Sequence, residues 1–318
     1  MNSTYFSEVS DRPVLVIGAA VLDIIGRMKS AIEYGTSNPA HINTTFGGVS
    51  RNVAENLARL GQKVNLISVV GDDYEGNKLL DDLTEAGVDI SAVLRTGNAS
   101  TGTYIGVLDD AGGLLYAMDD MDAIGTLTPG YLKENKKLFK DASLLFIDAN
   151  LPPKTLRTAV SLAKKANIPV FADPTSNRLA RRLQPYLDRL FLITPNIQEA
   201  AIYLGREFDP SNQEQTFEAA KNLVSQGVNI ALITLAELGV CYATSETSGY
   251  VSSIRTEIID PTGAGDALTA TIIFALLNDM SLDDAIRLGV SAASLTLRYR
   301  GAVVPDLSLE KLYDQLVI

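Results

Sequence analysis

Short apolar runs recur along the chain, separated by stretches with helical spacing, and this alternation constrains the fold more than any other feature. The runs are Val14 to Gly18 (VLVIG), VNLISVV from Val64, SLLFIDA from Ser143, IPVFADP from Ile168, LFLITPN from Leu190 and NIALITL from Asn229. None alternates apolar with polar residues, so each reads as a strand buried on both faces of a parallel sheet. Between them, Val49, Val53, Leu57 and Leu60 share one helical face, and similar spacing runs through Gly76 to Ala86, Pro153 to Ala166 and Phe217 to Val224. After Gly249 the pattern ends in helical segments at Gly263 to Asn278, Ser281 to Tyr299 and Ser308 to Val317. Strands alternating with helices predict an α/β protein, a doubly wound, mostly parallel sheet flanked by helices, with ligands beyond the carboxyl ends of the strands.

Leu22 to Phe46 and Thr101 to Asp119 break the alternation, and the second reads as a hairpin turning at Ala111-Gly112-Gly113. Both read as strands of a small separate sheet, a lid over a cleft. The expected organisation is one α/β domain over residues 1–318, with the lid inserted at about 22–46 and 101–119. An exposed apolar lid face would suggest a homodimer in which lids cap each other.

Composition removes several function classes. Lys+Arg 27 against Asp+Glu 38 leaves a net charge of −11 over 318 residues, the wrong sign for a nucleic acid polymer as partner. Cys241 and His41 are the sole cysteine and histidine, so an intramolecular disulfide or a Cys/His zinc site within one chain is impossible, and a histidine triad would rest on His41 alone. Cys241 lies in an apolar stretch and reads as core, while nothing around His41 resembles a triad. No targeting segment or membrane span is visible, and low cysteine use fits a reducing compartment, so the expected location is cytoplasmic.

Several stretches could carry chemistry. Asp260-Pro261-Thr262-Gly263-Ala264-Gly265-Asp266-Ala267 opens an apolar helix, where unpaired N–H groups and the helix dipole form an anion site. Asp266 stands in that first turn, placed to take a proton from an attacking hydroxyl; alternatively, Thr262 caps the helix and Asp266 complements its dipole. Phe46-Gly47-Gly48-Val49-Ser50-Arg51-Asn52 is a second glycine turn feeding a helix. Its N–H groups and the Asn52 amide could bind sugar hydroxyls, or Gly47-Gly48 is simply a tight turn and Asn52 solvated. Asp23 follows the first strand at the ligand edge. Asn196 and Glu199, at i and i+3, either organise Mg²⁺ or form a cap with a first-turn acid. Asp173, before Pro174, reads as a turn former or a further acid of the site.

Taken together and in this order, Gly18 to Asp23, GGVSRN from Gly47, TPNIQE from Thr194, LITLAELGV from Leu232 and DPTGAGDA from Asp260 resemble the ribokinase-like, PfkB-type family of sugar and nucleoside kinases. Within it the chain most resembles the pseudouridine kinases, through Ser37-Asn38-Pro39, Gly47 to Gly61, Asp120-Met121, Asp148-Ala149-Asn150 and Ala172 to Ser176. The resemblance implies transfer of the γ-phosphoryl of ATP to the 5′-hydroxyl of a ribosyl substrate, with pseudouridine the first choice. Other sugar or nucleoside acceptors, or a binding protein without turnover, are the alternatives. It implies Asp266 as general base, Gly263, Ala264 and Gly265 as anion hole, and Asp23, Gly47, Gly48, Asn52 and Asn150 around the acceptor. Asn196 and Glu199 would organise Mg²⁺, and Thr234, Gly239, Ala293 and Ser294 would lie beside the nucleotide. Asp260, Thr262 and Gly301 match positions that bind a monovalent cation such as K⁺. The chain departs from ribokinases at Val49 (usually lysine) and Asn150 (usually an acid), from the usual nucleotide strand at Ala236 (usually glycine), and from pseudouridine kinases at Asp119 (usually asparagine).

Overall fold

The computed structural model describes Phe6 and residues 9–316; Val317, at the end of the last expected helix, lies outside the described residues. The strands in chain order are β1 (Val14–Ile17), β2 (Val21–Met28), β3 (Ala40–Gly47), β4 (Val64–Ile67), β5 (Val69–Gly71), β6 (Leu94–Thr96) and β7 (Gly102–Leu108). Then follow β8 (Leu114–Asp120), β9 (Leu145–Asp148), β10 (Val170–Asp173), β11 (Leu192–Ile193), β12 (Ile230–Thr234), β13 (Val240–Ala243) and β14 (Ser248–Val251). The longer helices are α1 (Val49–Arg59), α2 (Tyr74–Glu85), α3 (Pro153–Ala166), α4 (Ile197–Leu204), α5 (Gln213–Ser225), α6 (Ala264–Leu277), α7 (Leu282–Leu297) and α8 (Leu309–Leu316).

The main sheet has eight strands in the order β14-β13-β12-β11-β10-β9-β1-β4. Its pairs are parallel from β4 to β12 and antiparallel at β12–β13 and β13–β14. Along each central strand successive residues enter opposite cores. Val14, Val16, Leu66, Phe146 and Phe171 join α1, α2, α6, α7 and α8, whereas Leu15, Ile17, Leu145, Ile147 and Ala172 join α3, α4 and α5. Both faces are therefore covered, which is why the runs show no alternation.

Two sequence expectations need correction. VNLISVV is not one strand: Ser68 interrupts it, its hydroxyl donating to the Gly18 carbonyl at 2.7 Å, and the chain leaves the main sheet so that β5 pairs with β6. The stripe Val49, Val53, Leu57, Leu60 also understates the burial of α1. Ser50, Arg51, Asn52, Glu55 and Asn56 are buried as well, because the sheet covers one side of the helix and α6 the other. Arg51 is tolerated there by its ion pair with Glu55 one turn on.

The segments expected to form a separate sheet do so. β2, β3, β7 and β8 make a four-stranded sheet in the order β3-β2-β7-β8. Its register aligns Thr45, Asp23, Tyr104 and Asp119 in one row. The next row, Thr44, Ile24, Ile105 and Met118, belongs to the opposite face, where Ile42 (73% exposed) and Met118 (55%) are bare. His41 sits exposed on β3, and Cys241 is buried on β13. Among the described residues no helix is long and apolar enough to cross a membrane.

Candidate active site

The carboxyl edge of the main sheet, the start of α1 and the start of α6 converge on one place. At the head of α6, Gly263 is left-handed (φ 78°), and a Cβ there would lie 2.1 Å from the Ala302 carbonyl oxygen, so only glycine fits. The first intrahelical bond runs from Ala267 N to Gly263 O at 2.9 Å. The N–H groups of Ala264, Gly265 and Asp266 thus point out of the helix end. A Cβ built on Gly265 meets nothing within 4 Å, so the space before these donors is open. An anionic phosphate group fits such a cradle.

Asp266 accepts a hydrogen bond from Asn52 Nδ2 at 2.7 Å. Asn52 is buried (3% exposed), not solvated, and its own oxygen accepts from Arg51 Nη1 at 3.2 Å. Loss of water pushes the Asp266 carboxyl up to about 8, with Asp173, Asp148 and Asp23 adding in the same direction and the Asn52 bond opposing. A carboxyl poised in that range is suited to general base work near neutral pH.

Asp23, the second acid of the edge, is buried and pushed up to about 7, chiefly by burial; nearby Arg51 pulls it down and Asp260 pushes it up. A Cβ on Gly47 would lie 1.9 Å from Asp23 Oδ2, and one on Gly48 (φ 96°) 2.5 Å from the Ala19 carbonyl. Both glycines are therefore demanded by close approach, and the turn is tight because Asp23 and Ala19 lie against it.

Asp260, Thr262 and Gly301 also come together. Asp260 Oδ1 accepts from Thr262 N at 2.9 Å and Oδ2 from Gly301 N at 3.2 Å, joining the loop before α6 to the loop after α7.

Asn196 and Glu199 form a reciprocal capping box on α4: Asn196 Oδ1 accepts from Glu199 N at 2.8 Å and Glu199 Oε2 from Asn196 N at 2.9 Å. Burial and then Asp173 push Glu199 up to about 8. The box leaves Glu199 Oε1 outside it. Among the described residues no three His, Cys, Asp or Glu side chains gather as a metal cage, so Mg²⁺ here would keep water and phosphate oxygens as most of its shell.

The remaining candidates are held more loosely to this group. Thr234 N donates to the Pro195 carbonyl at 3.0 Å, setting the end of β12 beside Asn196. Gly239 (φ 112°) is required by packing, since its Cβ would lie 2.2 Å from the Val251 carbonyl. Ala293 and Ser294 lie on α7, half-buried and buried, and no hydrogen bond ties them to the other candidates.

Sequence reasoning left two acids without a settled role: Asp173 read as a turn former or a further acid of the site, and Asp148 entered through the resemblance alone. Asp148 and Asp173 end β9 and β10 as register partners, both buried or nearly so. Asp173, pushed up to about 6 by burial, accepts from Thr175 N at 2.7 Å and Thr194 Oγ1 at 3.1 Å. An acid at the carboxyl end of an otherwise apolar strand was the signal available for both.

Beside this group, a cleft of about 580 Å³ opens between the small sheet and the body, lined by Asp119, Met121, Asn150, Pro152, Arg178 and Arg182 among others. Across its mouth Arg178 Nη2 donates to both Asp119 oxygens, at 3.0 and 2.8 Å.

Residues 11–308 match the pfkB family of carbohydrate kinases. The chain belongs to that family. It is 32% identical over 297 residues to the pseudouridine kinase of Escherichia coli K12, covering 93% of this chain and 94% of that protein. It is 26% identical to the guanosine-inosine kinase of Exiguobacterium acetylicum, covering 92% and 97%. The Arabidopsis thaliana ribokinase, solved with ribose and ATP, shares the fold: TM-score 0.82 at 23% identity, with 96% of this chain and 99% of that one covered. A pfkB kinase transfers a phosphoryl group to an alcohol, so this chain is a sugar or nucleoside kinase.

Proposed function

We propose that this kinase uses ATP and Mg²⁺ to phosphorylate the 5′-hydroxyl of a ribosyl compound, pseudouridine being the acceptor it suits best. The observation carrying this reading is the Asn52–Asp266 hydrogen bond, which joins the glycine turn before α1 to the N–H cradle at the head of α6. A hydroxyl between them lies within reach of both a base and an anion site.

ATP supplies the phosphoryl group, and Mg²⁺ neutralises charge on its oxygens. Asp266 takes the proton from the attacking hydroxyl. The free N–H groups of Ala264 and Gly265 at the head of α6, with that of Gly263 just before them, meet the charge on the transferring group. Asp23, Gly47, Gly48 and Asn52 hold the ribose, and Asn150 stands where the cleft continues beyond it. Asn196 and Glu199 orient the metal's water shell, Thr234, Gly239, Ala293 and Ser294 border the nucleotide, and Asp260 with the Thr262 and Gly301 backbone hosts a monovalent cation such as K⁺. The small sheet acts as a lid that excludes water, and its bare outer face pairs with a second copy to form a homodimer.

Support for a nucleoside over free ribose comes from the cleft beyond Asn150, from Val49 and Asn150 in place of the usual lysine and acid, and from the likeness to a pseudouridine kinase. ADP release measured over a panel of ribose, fructose phosphates, adenosine, inosine, uridine and pseudouridine tests the reading. Highest kcat/KM with pseudouridine is expected; a preference for a free hexose or its phosphate would overturn the ribosyl assignment.

A further inference from the structure

Asp148, at the carboxyl end of β9, is fully buried, and no step above uses it. A carboxylate in such a place is costly unless donors meet it. Backbone N–H groups from three separate stretches do so. Oδ2 accepts from Ala19 N at 2.9 Å and from Ser50 N at 3.2 Å, while Oδ1 accepts from Asn150 N at 2.8 Å. Ala19 leads into β2 and Asp23; Ser50 follows Gly47-Gly48 and precedes Asn52; Asn150 lines the cleft. Gly18 makes room for the carboxylate, because a Cβ there would lie 2.2 Å from Asp148 Oδ2. From the other side Arg182 Nη1 donates to the Ala149 and Asn150 carbonyls at 3.0 and 3.1 Å, closing the same turn.

We propose that Asp148 is a positioning residue that sets the acceptor pocket by drawing these three stretches onto one carboxylate, without touching the acceptor. The inference rests on the reading of Asp23, Gly47, Gly48, Asn52 and Asn150 as acceptor-binding. A purely fold-stabilising acid would weaken the whole enzyme alike; a positioning acid acts on the acceptor side and leaves the nucleotide side alone.

The two oxygens carry different loads, which makes the test graded. In Asp148→Asn the remaining oxygen stays with the paired donors of Ala19 and Ser50, and the new NH₂ opposes the Asn150 N–H. Amide hydrogen exchange in the free enzyme then accelerates at Asn150 by about tenfold or more, as expected for one lost buried bond, with Ala19 and Ser50 nearly unchanged. The acceptor KM rises about tenfold for the same reason, while the ATP KM stays within about twofold. Asp148→Ala frees all three amides and raises the acceptor KM further. If the alanine variant does not fold, the asparagine variant decides alone. Unchanged exchange at Asn150, or ATP and acceptor KM moving together in a folded variant, overturns the proposal. Should the wild type phosphorylate no acceptor in the panel, the functional reading fails, and the exchange measurement still judges the tether.

Discussion

Asn52 and Asp266, 214 positions apart in the chain, meet through a 2.7 Å hydrogen bond in which the amide donates to the carboxylate. The bond stabilises the charged form of an acid whose other surroundings favour the neutral one. Asn52 therefore has a kinetic signature as well as a binding role.

With Asp266 at about 8 in the free enzyme, kcat/KM is expected to rise with pH and level off above that value, because the base must be unprotonated. Asn52→Ala removes a donor to the charged form, so the rising limb moves to higher pH. A pH–rate profile of both proteins checks this; a limb unmoved or moved to lower pH contradicts it.

Stability should run the other way. Asp173 (about 6), Asp23 (about 7), Glu199 and Asp266 (about 8) all lie above their ordinary values of 3.8 for Asp and 4.5 for Glu. Each holds its proton more tightly folded than unfolded, so the folded chain binds more protons across that range and loses stability as pH rises through 6 to 8. Thermal unfolding of the ligand-free enzyme is expected to give a lower Tm at pH 8.5 than at pH 5.5, and Asp266→Asn narrows the gap. A Tm that climbs between those values would falsify the upward shift of these carboxyls in the folded chain.

Ala236 has φ 49°, the left-handed region, where this family usually has glycine. Such a conformation costs an alanine about 1–2 kcal/mol, partly offset by the greater unfolded-state freedom of glycine. Ala236→Gly is therefore expected to stabilise the enzyme by about 0.5–1 kcal/mol, seen as a Tm rise of about 0.7–1.5 °C. A drop in Tm would show that the alanine methyl makes a contact worth more than the strain.

Asp119 and Arg178 are both substantially exposed, so their ion pair contributes little to stability. Asp119→Asn releases Arg178 at the mouth of the cleft, and the KM for nucleosides should fall by up to about fivefold while that for free ribose holds. Parallel changes for ribose and nucleosides would show that the pair does not act on the part of the acceptor that distinguishes a nucleoside from free ribose.

The main sheet was legible because its strands are buried on both faces, which shows as unbroken apolar runs. The break at Ser68 was not, since only the tertiary bond to Gly18 ends the strand there. Gly47 and Gly48 announced themselves as a turn and Gly263 as the opening of a helix, but the reasons for them, the oxygens of Asp23, Ala19 and Ala302, lie on other elements. Asn52 and Asp148 were hardest to read. Asn52 read either as a sugar-binding amide or as a solvated first-turn residue, and Asp148 as the end of a strand; only the packing of α6 on α1 and the meeting of β1, β9 and α1 show what they hold.

The central claim is that Asp266 is the base for phosphoryl transfer, and steady-state turnover of Asp266→Asn alongside calorimetric ATP binding tests it most directly. kcat is expected to fall by about 10² to 10⁴, as for loss of a general base, with ATP affinity within about twofold of wild type. Near-normal turnover with the preferred acceptor would contradict it.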